Sequence, residues 1–181
     1  MTLEQELQKF KFDVLRKMPF YGDILMRLNI VENNSFPTAA TNGLSIMYNS
    51  KFMSLLSPGE RNYVMMHEVF HVLLMHCKRN PNKNNKLWNV ACDMVVNNML
   101  DKLTSSMRNA GIAFERPRDG VFANLSDSDT VENIYQKLSE QKLPSIFVCQ
   151  QKKLLKLYKL QRQESMQLKR TMLLIRAQTP P

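Results

Sequence analysis

The feature that most constrains this chain is His67-Glu68-Val69-Phe70-His71, set in an apolar run from Tyr63 to Cys77. All three histidines of the protein, His67, His71 and His76, fall inside that run. On an α-helix, residues four apart lie about 40° round the axis from one another, so His67 and His71 share a face. Two imidazoles at that spacing suit one tetrahedral metal ion, and a glutamate beside them, Glu68, suits general-base work. Val64, Met65, Met66, Val69, Phe70, Val72 and Leu73 are uncharged, so such a helix can be buried and its site kept partly dry. The competing reading is a core helix that carries the pattern by chance.

The start of this helix is well marked. Ser57 suits the N-cap, Pro58 the first helical position and Glu60 the return bond of a capping box. The helix is expected to run to about Lys78 and stop before Asn80-Pro81. A second helix is expected from about Leu87 to Lys102, after a polar connector long enough for antiparallel packing.

A catalytic zinc takes three protein ligands and keeps one open position. His76 lies nine residues after His67, about 180° round a continuous helix, and five after His71, about 140° away. It reaches the same ion only if the helix breaks between Val72 and Met75, where no glycine or proline stands. Asp93 is the better candidate, being the only charged residue from Leu87 to Leu100. A carboxylate from a later helix completes a two-histidine, one-carboxylate set. Asn97, one turn on, and Asn89, one turn before, are candidates to hydrogen-bond a ligand imidazole and fix its tautomer. His76 and Arg79 read either as solvent-facing cations near a helix C-terminus or as a pair of which one folds back to stabilise an oxyanion or bind the substrate chain; Tyr63 is a further oxyanion donor candidate.

Elsewhere, Thr2 and Gln5 form a capping box for a first helix to about Lys17, and a short second helix follows at about Phe20 to Leu28. Asn29 to Glu32 and Leu44 to Tyr48 read as strands, with a turn at Asn42-Gly43 between them, so a small antiparallel sheet is expected. Its edge is either an ordinary structural hairpin or a place where an extended peptide adds as a strand. A last short helix spans Thr130 to Gln141, capped by Ser128 or Asp129.

Taken together, Thr38-Ala39-Ala40-Thr41-Asn42-Gly43, the Ser57 cap, the two-histidine motif with His76 and Arg79, and Trp88-Asn89-x-Ala91-x-Asp93-x-x-x-Asn97 resemble a known family. It is the putative metallopeptidase domain usually found N-terminal to a von Willebrand factor A-like domain in bacterial and phage proteins. Val131-Glu132-Asn133-Ile134-Tyr135-x-x-Leu138 is similar to its closing helix. The resemblance implies an α+β, compact, zincin-like (minimal gluzincin-like) fold, with helices packed on a small antiparallel sheet. It further implies Zn2+ at His67, His71 and Asp93, Glu68 as the catalytic base, and a protein or peptide substrate.

Charge divides the chain. Of the net +9, residues 147–181 carry +7, with eight Lys/Arg against Glu164, and the remainder carries +2. We therefore expect a zincin-like domain over 1–144 and a basic extension, helical or disordered, over 145–181. That extension offers a rival function, contact with a nucleic acid or an acidic partner, and a zinc-stabilised module without catalysis is another. Three cysteines without a C-x-x-C pair, an acidic amphipathic start and no apolar run of ~18 residues lead us to expect a cytoplasmic protein with no membrane contact.

Overall fold

The computed structural model describes residues 1–79, 84–118, 120, 123, 125–126 and 128–140. The basic extension with its nucleic-acid reading lies outside the described residues.

Helix α1 (Leu3–Lys17) opens with the expected capping box between Thr2 and Gln5 and buries Leu7, Phe10 and Val14 at helical spacing. Helix α2 (Pro19–Arg27) follows after Met18 and crosses α1 closely at Gly22. A Cβ there would meet the Leu15 Cα at 2.2 Å, so only glycine permits the crossing. Lys11, though buried, donates its Nζ to the Leu28 carbonyl at 2.9 Å and ties α1 to the start of the sheet.

The sheet differs from expectation. It has three strands, β1 (Asn29–Glu32), β2 (Ala39–Thr41) and β3 (Ser45–Tyr48), in the order β1-β3-β2. β1 runs parallel to β3, with Ile30 opposite Ile46, whereas β2 runs antiparallel to β3, with Ala40 opposite Met47. The sheet is therefore mixed, not antiparallel. Asn42-Gly43 does make a turn, with Gly43 at φ +90° and the Asn42 Oδ1 accepting from the Leu44 and Ser45 amides. It joins β3 to β2, however, and not to β1. Residues 33–38 carry the chain from β1 past the end of β3, where the Asn33 amide donates to the Tyr48 carbonyl at 2.8 Å and the Asn49 amide to the Thr38 carbonyl at 2.7 Å.

After a short, unanticipated α3 (Ser50–Ser54), capped by Asn49, comes the motif helix α4 (Pro58–Leu73). Met65, Met66, Val69 and Phe70 bury its inner face, and Phe70 stacks on Tyr21 at 5.5 Å. Each such side chain fully buried stabilises by about 1.5–3 kcal/mol, which fixes the helix on the core. Arg61 holds its outer flank through Glu6 and the Met53 carbonyl. β2 packs against α4.

Helix α5 (Asn85–Asn109) runs longer than expected because Leu100, Leu103 and Met107 continue its apolar stripe. It packs against α4 and, at its start, against α6 (Val131–Ser139). The N-cap of α6 is Thr130, which accepts from the Asn133 amide, so neither Ser128 nor Asp129 fills that role. Helices on a small sheet make an α+β architecture. No helix among the described residues is long and apolar enough to cross a membrane.

Candidate metal centre

His67 and His71 project from the last two turns of α4, and Asp93 projects towards them from the first third of α5. One ligand atom from each lies within 4.8 Å of the others, a set able to hold a metal ion. His67 Nε2 and His71 Nε2 are 2.9 Å apart, and Asp93 Oδ1 is 3.5 Å from the first and 3.2 Å from the second. A tetrahedral ion with bonds of ~2.0–2.2 Å separates its ligand atoms by about 3.3 Å. The three edges fall around that value, so the residues fit a zinc-sized ion.

The outer nitrogens explain why the inner ones converge. His67 Nδ1 lies 2.9 Å from the Asn97 Oδ1, which accepts a hydrogen bond from Nδ1–H and so leaves Nε2 with a lone pair. Asn97 is buried, and the Tyr63 hydroxyl lies 3.3 Å from its carbonyl oxygen and 3.4 Å from its Oδ1. Asp101 stands 3.3 Å beyond that hydroxyl and is itself paired with Arg116 at 2.9 Å. Asn89, the other candidate, is exposed.

Electrostatics follow from this packing. Burial opposes charge on His67, but the hydrogen bond and charge of Asp93, with Glu68 and Asn97, outweigh it and raise its pKa. Burial likewise pushes Asp93 up, yet hydrogen bonds and charge from His67 and His71 hold it well below the ordinary carboxylate range. Glu68 is buried beside them, and burial raises its pKa despite the two imidazoles. A carboxyl with a raised pKa beside such a cluster is disposed to take up a proton.

The end of α4 departs from expectation. The helix stops at Leu73 and not near Lys78, although neither glycine nor proline is present. Met75 adopts φ +53°, and the amides of Met75 and His76 donate to the carbonyls of Val72 (2.9 Å) and His71 (3.0 Å). These two bonds make a Schellman cap with a methionine in the left-handed position usually given to glycine. His76 is thereby turned back onto α4, and its Nδ1 lies 3.1 Å from His71 Nδ1. It is buried, and burial, followed by the charges of His71 and Arg79, pushes its pKa down to about 4. Sequence reasoning missed this contact because it assumed an unbroken helix. Five residues separate the two positions that a Schellman cap brings together, but no glycine or asparagine stands at 75 to mark one.

None of the three groups considered for an oxyanion points into the cluster as a free donor. The Tyr63 hydroxyl faces α5, and His76 sits behind His71. Arg79 donates to the Leu74 carbonyl at 3.1 Å and to Glu132 at 2.6 Å, tying the cap to α6.

A family model described as a putative metallopeptidase domain matches residues 2–166, and the chain belongs to that family. It is also 24% identical over 140 residues to an uncharacterized protein of Thermotoga maritima, covering 72% of this chain and 33% of that one. The chain thus spans about a third of the length of that relative. No solved structure matches it.

Proposed function

We propose that this member of the family is a zinc-dependent peptidase, with His67, His71 and Asp93 as ligands and Glu68 as general base. The observation that carries the reading is the convergence of two imidazole nitrogens and one carboxylate oxygen within 3.5 Å, beside a buried glutamate. Zinc suits this nitrogen and oxygen donor set. The chemistry such an ion supplies is Lewis acidity, which lowers the pKa of a water towards ~7 and polarises a carbonyl. Glu68 takes the proton of the attacking water and passes it to the leaving amine, a shuttle that its raised pKa favours. Asn97 keeps His67 in the tautomer that leaves Nε2 free for the ion.

A peptide is the substrate class that the sheet supports. In an antiparallel pair, residues alternate between pointing their amides at the partner strand and away from it. The Asn42 amide donates to the Ser45 carbonyl at 3.3 Å and the Asn49 amide to the Thr38 carbonyl, so Thr38, Ala40 and Asn42 face β3. Ala39 and Thr41 therefore direct their main-chain groups to the outer edge of β2, the strand that packs against α4. An extended peptide laid along that edge gains main-chain hydrogen bonds, and it displaces the Cys77 thiol that donates to the Thr41 carbonyl at 3.6 Å.

Zinc content and peptide hydrolysis, measured on wild type, Glu68→Gln and Asp93→Ala, test the proposal. Wild type is expected to carry about one zinc per chain, and Asp93→Ala to lose it. Glu68→Gln is expected to keep the metal while hydrolysis falls by about 10²-fold or more. A Glu68→Gln variant that cleaves like wild type would remove the general-base assignment.

A further inference from the structure

We infer that His76 is the positioning residue of His71: its Nδ1 accepts a hydrogen bond from His71 Nδ1–H and so presents the lone pair of His71 Nε2 to the ion. The inference rests on the metal reading above and extends it to the second imidazole.

Two ring nitrogens 3.1 Å apart cannot both face each other as lone pairs, so one of them carries a proton. A neutral histidine that binds an ion through Nε2 must carry its proton on Nδ1. His71 Nε2 lies among His67 Nε2 and Asp93 Oδ1, so its Nδ1 is the donor and His76 the acceptor whenever the ion is bound. His67 and His71 are then held alike, each by an outer acceptor on Nδ1. For His67 that acceptor is the Asn97 amide oxygen, and for His71 it is an imidazole.

The cap explains how a residue on the same chain segment reaches behind the ligand. In a Schellman cap the second residue past the C-cap contacts the third-last helical residue, and an apolar pair usually fills these places. Here the pair is His76 and His71, with ring centroids 5.0 Å apart and planes at 74°. Helix termination does not need an imidazole at this position. The other nitrogen, His76 Nε2, is buried with no hydrogen-bond partner among the described residues. A buried polar group in that state is a cost that an apolar residue would avoid. The contact with His71 is what offsets it.

The test compares His76→Asn, whose side-chain oxygen takes the place of Nδ1, with His76→Leu, which fills space without an acceptor. Zinc affinity is measured by competition with a chelator, and thermal stability is measured on the zinc-stripped proteins to report packing separately. His76→Leu is expected to bind zinc about 10–100-fold more weakly than wild type, and His76→Asn to recover most of that loss. In zinc-loaded wild type, nitrogen-15 spectra of the histidine rings should show His71 protonated at Nδ1, with that proton shielded from exchange. In His76→Leu the same proton should exchange rapidly. Equal zinc affinity in wild type and His76→Leu, or equal losses in the two variants, overturns the inference and leaves the metal reading standing. Wild type that takes up no zinc overturns both.

Discussion

The two ends of α4 are built on different principles. At the N-terminus, Ser57 Oγ accepts from the Glu60 amide at 3.2 Å, and Glu60 Oε2 accepts from the Ser57 amide at 2.8 Å, with Pro58 between them. Gly59 lets the segment at 114–115 approach, since a Cβ there would sit 3.0 Å from the Glu115 Cβ, and its carbonyl accepts from the Glu115 amide. Every residue at this end adopts a conformation natural to its type. At the C-terminus the carbonyls are satisfied by main-chain amides folded back through Met75, a side chain held at φ +53°. Left-handed backbone costs an L-residue roughly 1–2 kcal/mol. The first end only has to start a helix. The second also delivers His76 to His71, and backbone strain is commonly found where such delivery matters.

The comparison is broken most severely by Met75→Pro. Proline fixes φ near −65° and removes the amide that donates to the Val72 carbonyl, so the cap cannot form. We expect a loss of about 3 kcal/mol or more in denaturant unfolding, together with zinc affinity at least as weak as that of His76→Leu. A Met75→Pro protein with normal stability and normal zinc uptake would show that the cap holds neither the fold nor the site.

Ser57→Ala is the matching change at the other end, and its effect should be smaller and confined to stability. Loss of an N-cap oxygen costs about 1 kcal/mol, and here it also leaves Glu60 with a weakened return bond. The melting temperature should fall by a few degrees while zinc affinity, read by chelator competition, stays at the wild-type value. Zinc affinity falling alongside stability would mean that the two ends are coupled through α4 and that their separation is wrong.

This contrast also accounts for what could be read from the sequence. The α4 start was legible because serine, proline and glutamate act on main chain within three residues, and the Thr2–Gln5 box of α1 was legible for the same reason. Asp93 stood out as a lone carboxylate in an apolar stretch, and Asn97 followed from helical spacing to the His67 side. The α4 end was not legible, because no residue type announces a left-handed methionine. Ala39–Thr41 escaped notice as a strand because three small residues show no alternation, and the sheet order depends on pairing partners remote in sequence. Local chemistry was readable; conformations imposed by tertiary contacts were not.

The smallest and sharpest prediction concerns the strain itself. Met75 is 60% exposed, so replacing it loses little burial. Glycine adopts positive φ freely, but it also gives the unfolded chain more freedom, which offsets roughly 0.5–1 kcal/mol of the relief. Met75→Gly should therefore come out slightly more stable than wild type, by about 0.5 kcal/mol, with unchanged zinc affinity. Met75→Ala keeps the Cβ and hence the strain while removing the rest of the side chain. Alanine lacks the entropic penalty of glycine, so a Gly variant more stable than the Ala variant isolates the left-handed backbone as the cause. The reverse order would mean that the left-handed backbone at 75 costs less than the roughly 0.5–1 kcal/mol that glycine's freedom in the unfolded chain takes back.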